Sequence, residues 1–173
     1  SRGLGDVYKR QCYSSATVID QIANNTGKAG GIIGRVNGNA SGSSIENCYT
    51  SGDINAIGGG NAGGIVGKVD GGKLVIKNCI AWNSMLVSTD KAKVGRIVGG
   101  TANATYENCY AYDGMILKAG EATFTVSDET SPSGSSFQGV AKSANELKNT
   151  VINWDSSLWK EGGNGYPVFK WSK

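Results

Sequence analysis

The chain repeats itself. Aligned on cysteine, SIENCYTSGDI (44–54), VIKNCIAWNSM (75–85) and YENCYAYDGM (106–115) are versions of one segment, and Cys12-Tyr13 is the tail of an earlier copy. Spacings of 36, 31 and 30 residues separate Cys12, Cys48, Cys79 and Cys109, so the period is nearly constant. A second block precedes each later cysteine: AGGIIGRV (29–36), AGGIVGKV (62–69) and KVGRIVGG (93–100). Each period holds three short stretches of strand character, too short and too β-branched for helices. With 27 glycines and 2 prolines in 173 residues, the composition suits many tight turns. Such a unit cannot bury its own apolar side, so copies must stack. The expected fold is all-β: a right-handed parallel β-helix, a three-sided solenoid of about four rungs, with a C-terminal cap containing a short helix.

Successive strand residues alternate faces, so charge shows which side is outside. Ile32, Gly34 and Val36 match Ile65, Gly67 and Val69, while Arg35 and Lys68 take the opposite parity. In the cysteine block Glu46, Lys77 and Glu107 must face water, which turns Ile45, Ile76 and Tyr106 inward. Unbroken alternation would then expose Cys48, Cys79 and Cys109, so a corner is expected at Asn47, Asn78 and Asn108. Ile54, Met85 and Met115, followed by Ala56, Val87 and Leu117, are expected to form a third inner wall. Stacked rungs would place Glu46, Lys77 and Glu107 in one column of alternating sign, which avoids like-charge contact.

Periodicity ends after Leu117. ATFTV (122–126) reads as one more strand and SPSGSS (131–136) as a loop. Ser143 with Glu146 makes a capping box, and Val140, Ala144, Leu147 and Val151 share one helical face. Trp154, Trp159, Tyr166, Pro167, Phe169 and Trp171 crowd the end. A solenoid needs its open rung covered, so residues 119–173 read as a cap following repeats at 12–118; an aromatic binding platform is the alternative. The opening SRGLGDVYKRQ (1–11) has no counterpart in the repeats. Its DVYKRQ resembles the translation of a transposon-end adapter used for sequencing libraries, so 1–11 reads as an assembly scar and is left out of the fold reading, with the true N-terminus missing. Without that stretch 14 basic residues face 13 acidic ones, which argues against nucleic acid and charged membrane surfaces as partners. No apolar run is long enough to span a bilayer.

The glycine block followed by Asn-Cys resembles the GLUG repeats of bacterial surface proteins, named for a Gly-Leu-any-Gly core. The matching cores are Gly31-Ile32-Ile33-Gly34, Gly64-Ile65-Val66-Gly67 and Arg96-Ile97-Val98-Gly99. Isoleucine replaces the leucine throughout, and Arg96 replaces a glycine. The resemblance covers residues 12–118, and the ending from Trp159 to Pro167 is similar to tails that follow such arrays. It implies a right-handed β-helix in a secreted or surface-attached protein, adhesin-like or the non-catalytic part of an immunoglobulin A1 protease-like protein. It carries no catalytic motif onto these positions.

The residues themselves point away from catalysis. With no histidine, Ser-His and Cys-His nucleophile pairs and the commonest general base are absent. Cysteines about 30 residues apart do not match metal-ligand spacing. On adjacent rungs their parallel Cβ vectors would strain a disulfide, so a column of free thiols is expected. Asn47, Asn78 and Asn108 suit left-handed turns and read as a structural ladder. Gly58, Gly60 and Gly63 satisfy GxGxxG, but no helix follows and no acidic ribose partner is placed. Lys68 after Gly67 resembles a phosphate-binding loop only at its end, since Ala62 and Val69 stand where glycine and Ser/Thr are required. Asp53, Asp70, Asp90, Asp113 and Asp128 fall at different repeat positions, without pairing for acid-base chemistry or calcium. No catalytic, cofactor or metal residue is therefore expected, and no ligand site can be assigned. The expected role is a non-enzymatic, monomeric scaffold or spacer, extracellular or on the bacterial surface. Its partner would be a host or microbial surface protein or glycan, with no nucleic acid and no membrane insertion. The alternatives are a β-helix carbohydrate-active enzyme and the non-catalytic part of a larger surface protease.

Overall fold

The computed structural model describes residues 8–22, 24, 26–37, 41–71, 73–100, 104–126 and 137–172. The chain winds into a parallel β-solenoid of about three turns, with the α-helix Ala144–Trp154 near its C-terminal end. The first wall stacks Tyr8–Arg10, Ser41–Glu46, Lys73–Lys77 and Ala104–Glu107. Past a corner, the second wall stacks Tyr13–Ser14, Tyr49–Thr50, Ile80–Ala81, Tyr110–Tyr112 and Val140–Lys142. The third stacks Val18–Ile19, Ile54–Ala56, Met85–Ser88 and Ile116–Ala119, with Ala122–Phe124 added antiparallel at its edge. The fourth holds Lys28–Gly30, Asn61–Gly63 and Val94–Gly95. The fifth pairs Ile33–Val36 with Val66–Val69, and Val98 bridges to Val66 from the next turn.

The three stretches legible in each repeat thus resolve into five strands, because a bend splits each of the two recurring blocks. In the cysteine block the bend is the asparagine corner. Asn47, Asn78 and Asn108 have φ of 54°, 50° and 51°, the left-handed region asparagine tolerates, and Gln11 takes the same place in the first turn at 53°. Each corner turns the next residue inward, and Cys48, Cys79 and Cys109 are fully buried.

The glycine block bends at Gly31-Ile32 and Gly64-Ile65. There the N–H groups of Ile32 and Ile33 both donate to the Ile65 carbonyl, at 3.0 and 3.2 Å, and those of Ile65 and Val66 both reach Ile97 O at 3.0 Å. Ile32, Ile65 and Ile97 therefore occupy neighbouring levels of one file. The bend corrects the simple alternation expected through this block, since Val66 and Val98 are buried beside Ile65 and Ile97. Glycine is required where the backbones close up. A Cβ on Gly63 would stand 1.9 Å from Val66 O, and one on Gly67 would stand 2.4 Å from Gly34 O. Outward Arg35 lies opposite Lys68, and both bond Asp70, at 2.5 and 2.6 Å.

One further expectation needs correction. The third inner file is Val18, Ile54, Leu86 and Leu117, not Ile54, Met85 and Met115. The turn before this wall grows by one residue in each of the last two copies, so fixed spacing from the cysteine drifts out of register. Ala56 does lie inside, opposite Ser88, whose hydroxyl donates to Gly60 O at 2.6 Å. Residues 8–10, part of the adapter-like stretch left out of the fold reading, form the first strand of the first wall, in register with 44–46. They also lengthen the charged column: Arg10 pairs with Glu46 at 3.2 Å and Lys77 with Glu107 at 2.7 Å, so the sign alternates over four levels.

The C-terminal region does more than cover a rung. Val140–Lys142 adds a level to the second wall, and Phe137 O accepts from both Ile97 N and Val98 N. Arg96 holds this segment down. It is buried, and its Nε and Nη2 donate to Gln138 O and Gly139 O at 2.9 and 2.8 Å. Val140 is thus strand rather than helix. The helix has the anticipated capping box of Ser143 and Glu146, and it buries Leu147 and Val151. The antiparallel pair Trp159–Glu161 and Pro167–Phe169 follows. Helix and hairpin lie along the outer face of the second wall: Tyr49 and Ile80 are buried under Leu147, Val151 and Trp159, with Tyr13, Tyr110 and Phe169 packed around them. The loop expected at 131–136 lies outside the described residues.

Candidate functional site

The side chains singled out by chemistry are engaged between rungs. Asn78 Nδ2 donates to Asn47 Oδ1 at 3.0 Å, and Asn108 Nδ2 donates to Asn78 Oδ1 at 3.1 Å. The amides thus bond one another up the corner. All four cysteines are free thiols. Cys79 Sγ donates to Ile45 O at 3.4 Å and Cys109 Sγ to Ile76 O at 3.3 Å, each on an adjacent rung. Burial pushes the Cys79 thiol well above its ordinary pKa, the behaviour of an inert structural cysteine.

The carboxylates remain dispersed. Asp53 accepts from Met85 N at 3.1 Å, Asp90 caps a 3-10 turn through Ala92 N, and Asp113 is exposed. Asp128 lies outside the described residues. Burial alone would raise Asp70's pKa, but hydrogen bonds from Lys68 and Arg35 outweigh it and hold the carboxyl below the usual range. Gly58, Gly60 and Gly63 lie in a turn and the strand that follows it.

A concave site takes in Tyr166 but none of the other five residues of the aromatic platform weighed as the alternative. It lies between the second wall and the C-terminal segment, a cleft of about 320 Å³. The solenoid contributes Trp82, Ser84 and Tyr112; the helix contributes Asn145 and Lys148; the hairpin turn contributes Asn164 and Tyr166. Each is positioned locally. Trp82 follows the strand Ile80–Ala81, and its backbone N–H donates to Thr50 O at 2.8 Å. Tyr112 ends its own strand, and Gly114 makes room for the ring, since a Cβ there would stand 2.7 Å from the phenol oxygen. Asn145 and Lys148 share the start of the helix fixed by the capping box. Asn164 Oδ1 accepts from Tyr166 N at 3.2 Å, which closes the hairpin turn.

Trp82 is almost fully buried and packs on Tyr166, with ring centroids 4.7 Å apart and planes tilted by 57°. Tyr112 and Tyr166 keep part of their surfaces open. Burial, with Tyr112 and Asp53 nearby, pushes the Tyr166 hydroxyl up. Lys148 is paired with Glu161 at 3.0 Å. The cleft therefore offers aromatic surface, hydroxyls and amides around a neutralised cation. A signal for this region did exist. Tyr13, Tyr49, Ile80 and Tyr110 directly follow the cysteines at outward parity, and large residues there imply that the outer face is covered. A wider cleft of about 700 Å³ includes Lys91, Phe124, Val126 and Phe137, and the last two bracket the undescribed 127–136.

No protein-family model and no curated protein matches the chain. The chain is similar to a solved structure, that of a putative immunoglobulin A1 protease from Bacteroides ovatus. The two are 46% identical with a TM-score of 0.81, over 96% of this chain and 48% of that one. The chain thus spans about half the length of the protein it matches.

Proposed function

We propose that the chain is a non-catalytic module of a larger secreted or surface-displayed protein, a solenoid that holds a binding face at a fixed distance from its anchorage. Polar side chains at matching repeat positions bond one another along the stack, through the asparagine corner and the alternating charge column, and this observation carries the reading. Such bonds stiffen a rod, whereas a catalytic centre gathers titratable groups in one pocket with perturbed pKa values. The likeness to half of a longer chain supports a modular role, and the name of that neighbour supports a secreted or surface setting. We read the repeats as GLUG-type and the partner as a host or microbial surface glycan or protein. The test is incubation of the purified chain with immunoglobulin A1 and with polyuronate and neutral polysaccharide panels. Intact substrates are expected. Cleavage that one aspartate substitution abolishes would overturn the reading in favour of an enzyme.

A further inference from the structure

We infer that the cleft between the second wall and the C-terminal segment is a carbohydrate subsite that takes an uncharged pyranose ring of a larger glycan. The inference rests on the reading of the chain as a non-catalytic binding module and specifies that module's ligand class.

At about 320 Å³ the cleft is at the small end of ligand pockets, a size for one or two sugar rings rather than a long peptide. Tyr166, packed on the buried Trp82, and Tyr112, another residue of the lining, supply partly open aromatic surface. The negative face of an aromatic ring attracts the slightly positive C–H edges on one side of a pyranose. The other side of such a sugar carries hydroxyls, each both donor and acceptor, and a primary amide complements that character because it offers both functions. Asn145 and Asn164 provide two amides at the rim. The Asn164 bond to Tyr166 N uses its oxygen, leaving the amide N–H groups to donate.

Charge narrows the class. Among the described residues that line the cleft Lys148 is the cation, and Glu161 already pairs with it, so a uronate or sialate carboxylate would find no unpaired positive group within the lining. The Tyr166 phenol, like any tyrosine near neutral pH, is protonated and keeps its donor. The cleft is assembled from elements about 60 residues apart in sequence, around Trp82 and Asn145. It therefore exists only when the C-terminal segment is docked on the solenoid.

The test uses the whole chain, isotope-labelled, titrated by NMR with neutral oligosaccharides of glucose, galactose, mannose and N-acetylglucosamine, and with sialyllactose and oligogalacturonate as acidic probes. At least one neutral probe should shift the Trp82 indole and Asn145 side-chain signals. Tyr112→Ala and Asn145→Ala should each weaken that binding at least tenfold, while Tyr112→Phe, which keeps the ring, should retain it within about threefold. Absence of neutral binding, binding that shifts only signals elsewhere, or binding of acidic probes alone would overturn the inference. Reducing ends are assayed in the same samples: their release would overturn the non-catalytic reading, whereas no release together with no cleft binding would overturn the subsite alone.

Discussion

The inside of the solenoid and its aromatic flank both exclude water, but they are built on opposite rules. Inside, each side chain meets its own counterpart one turn away: Ile45 lies beside Ile76, Ile76 beside Tyr106, and Leu86 sits between Ile54 and Leu117. On the flank the solenoid still contributes a column, Tyr13, Tyr49, Ile80 and Tyr110. What covers that column does not repeat. Trp159 stands against Phe169 at 4.3 Å and against Tyr49 at 5.7 Å between ring centroids, and the Tyr49 hydroxyl donates to Pro167 O. A repeating interior can be lengthened one rung at a time, whereas a single cover ties several rungs together at once. The flank should therefore resemble an ordinary globular core in its sensitivity to substitution.

The largest expected effect tests that equivalence. Trp159→Ala removes a fully buried ring and should cost about 3–5 kcal/mol in chemical denaturation. A cost under about 1 kcal/mol would show that the flank is a dispensable attachment. Next comes the interior itself. Ile65→Ala should cost about 2–5 kcal/mol by leaving a cavity between turns, while outward Lys68→Ala should stay within about 0.5 kcal/mol because Arg35 still holds Asp70. Equal losses from these two substitutions would reverse the assignment of faces.

The corner gives a smaller and more diagnostic effect. Asn78→Ala loses bonds to the asparagines above and below and puts a Cβ-bearing residue at φ 50° without a side-chain bond to support it. It should cost about 2–3 kcal/mol. Asn78→Gly relieves the backbone part and should cost about half as much; a glycine variant no better than alanine would show that strain is not what selects asparagine. The smallest effect is on the surface. Asp70 is held below the ordinary carboxylate range in the folded chain, so its stabilising contribution is present above about pH 4 and fades as pH falls through the lower folded value. The gap in denaturation midpoint between the parent and Asp70→Asn should narrow from pH 6 to pH 3. A gap that widens on acidification would contradict the ion-pair account.

Much of the interior was legible because repetition makes parity visible. Charges at Glu46, Lys77 and Glu107 marked the outside, and three asparagines at one position marked the corner. The third wall misled because spacing counted from a cysteine assumes turns of constant length, and these turns lengthen. Residues 8–10 were left out because they differ from the repeats and resemble an adapter, and they still pair, since strand pairing uses backbone groups and tolerates varied side chains. The cleft was not legible. Its aromatics were visible as a cluster near the chain end, but their counterparts Trp82 and Tyr112 lie inside the repeats, where large outward residues mark a covered face without specifying the segment that covers it.

From its sequence alone this chain was bound to coil, because segments of about thirty residues with one apolar side can be stable only when stacked. Inward isoleucines, buried thiols and an asparagine corner follow from that requirement. Only the tertiary structure decided where the non-repeating tail would dock, on the outer face of the second wall as well as at its end, and hence that a cleft forms there. The physical reason is that stacking energy recurs with the period, whereas the docking of Trp159 and the helix is a single long-range fit of shapes that no local pattern encodes.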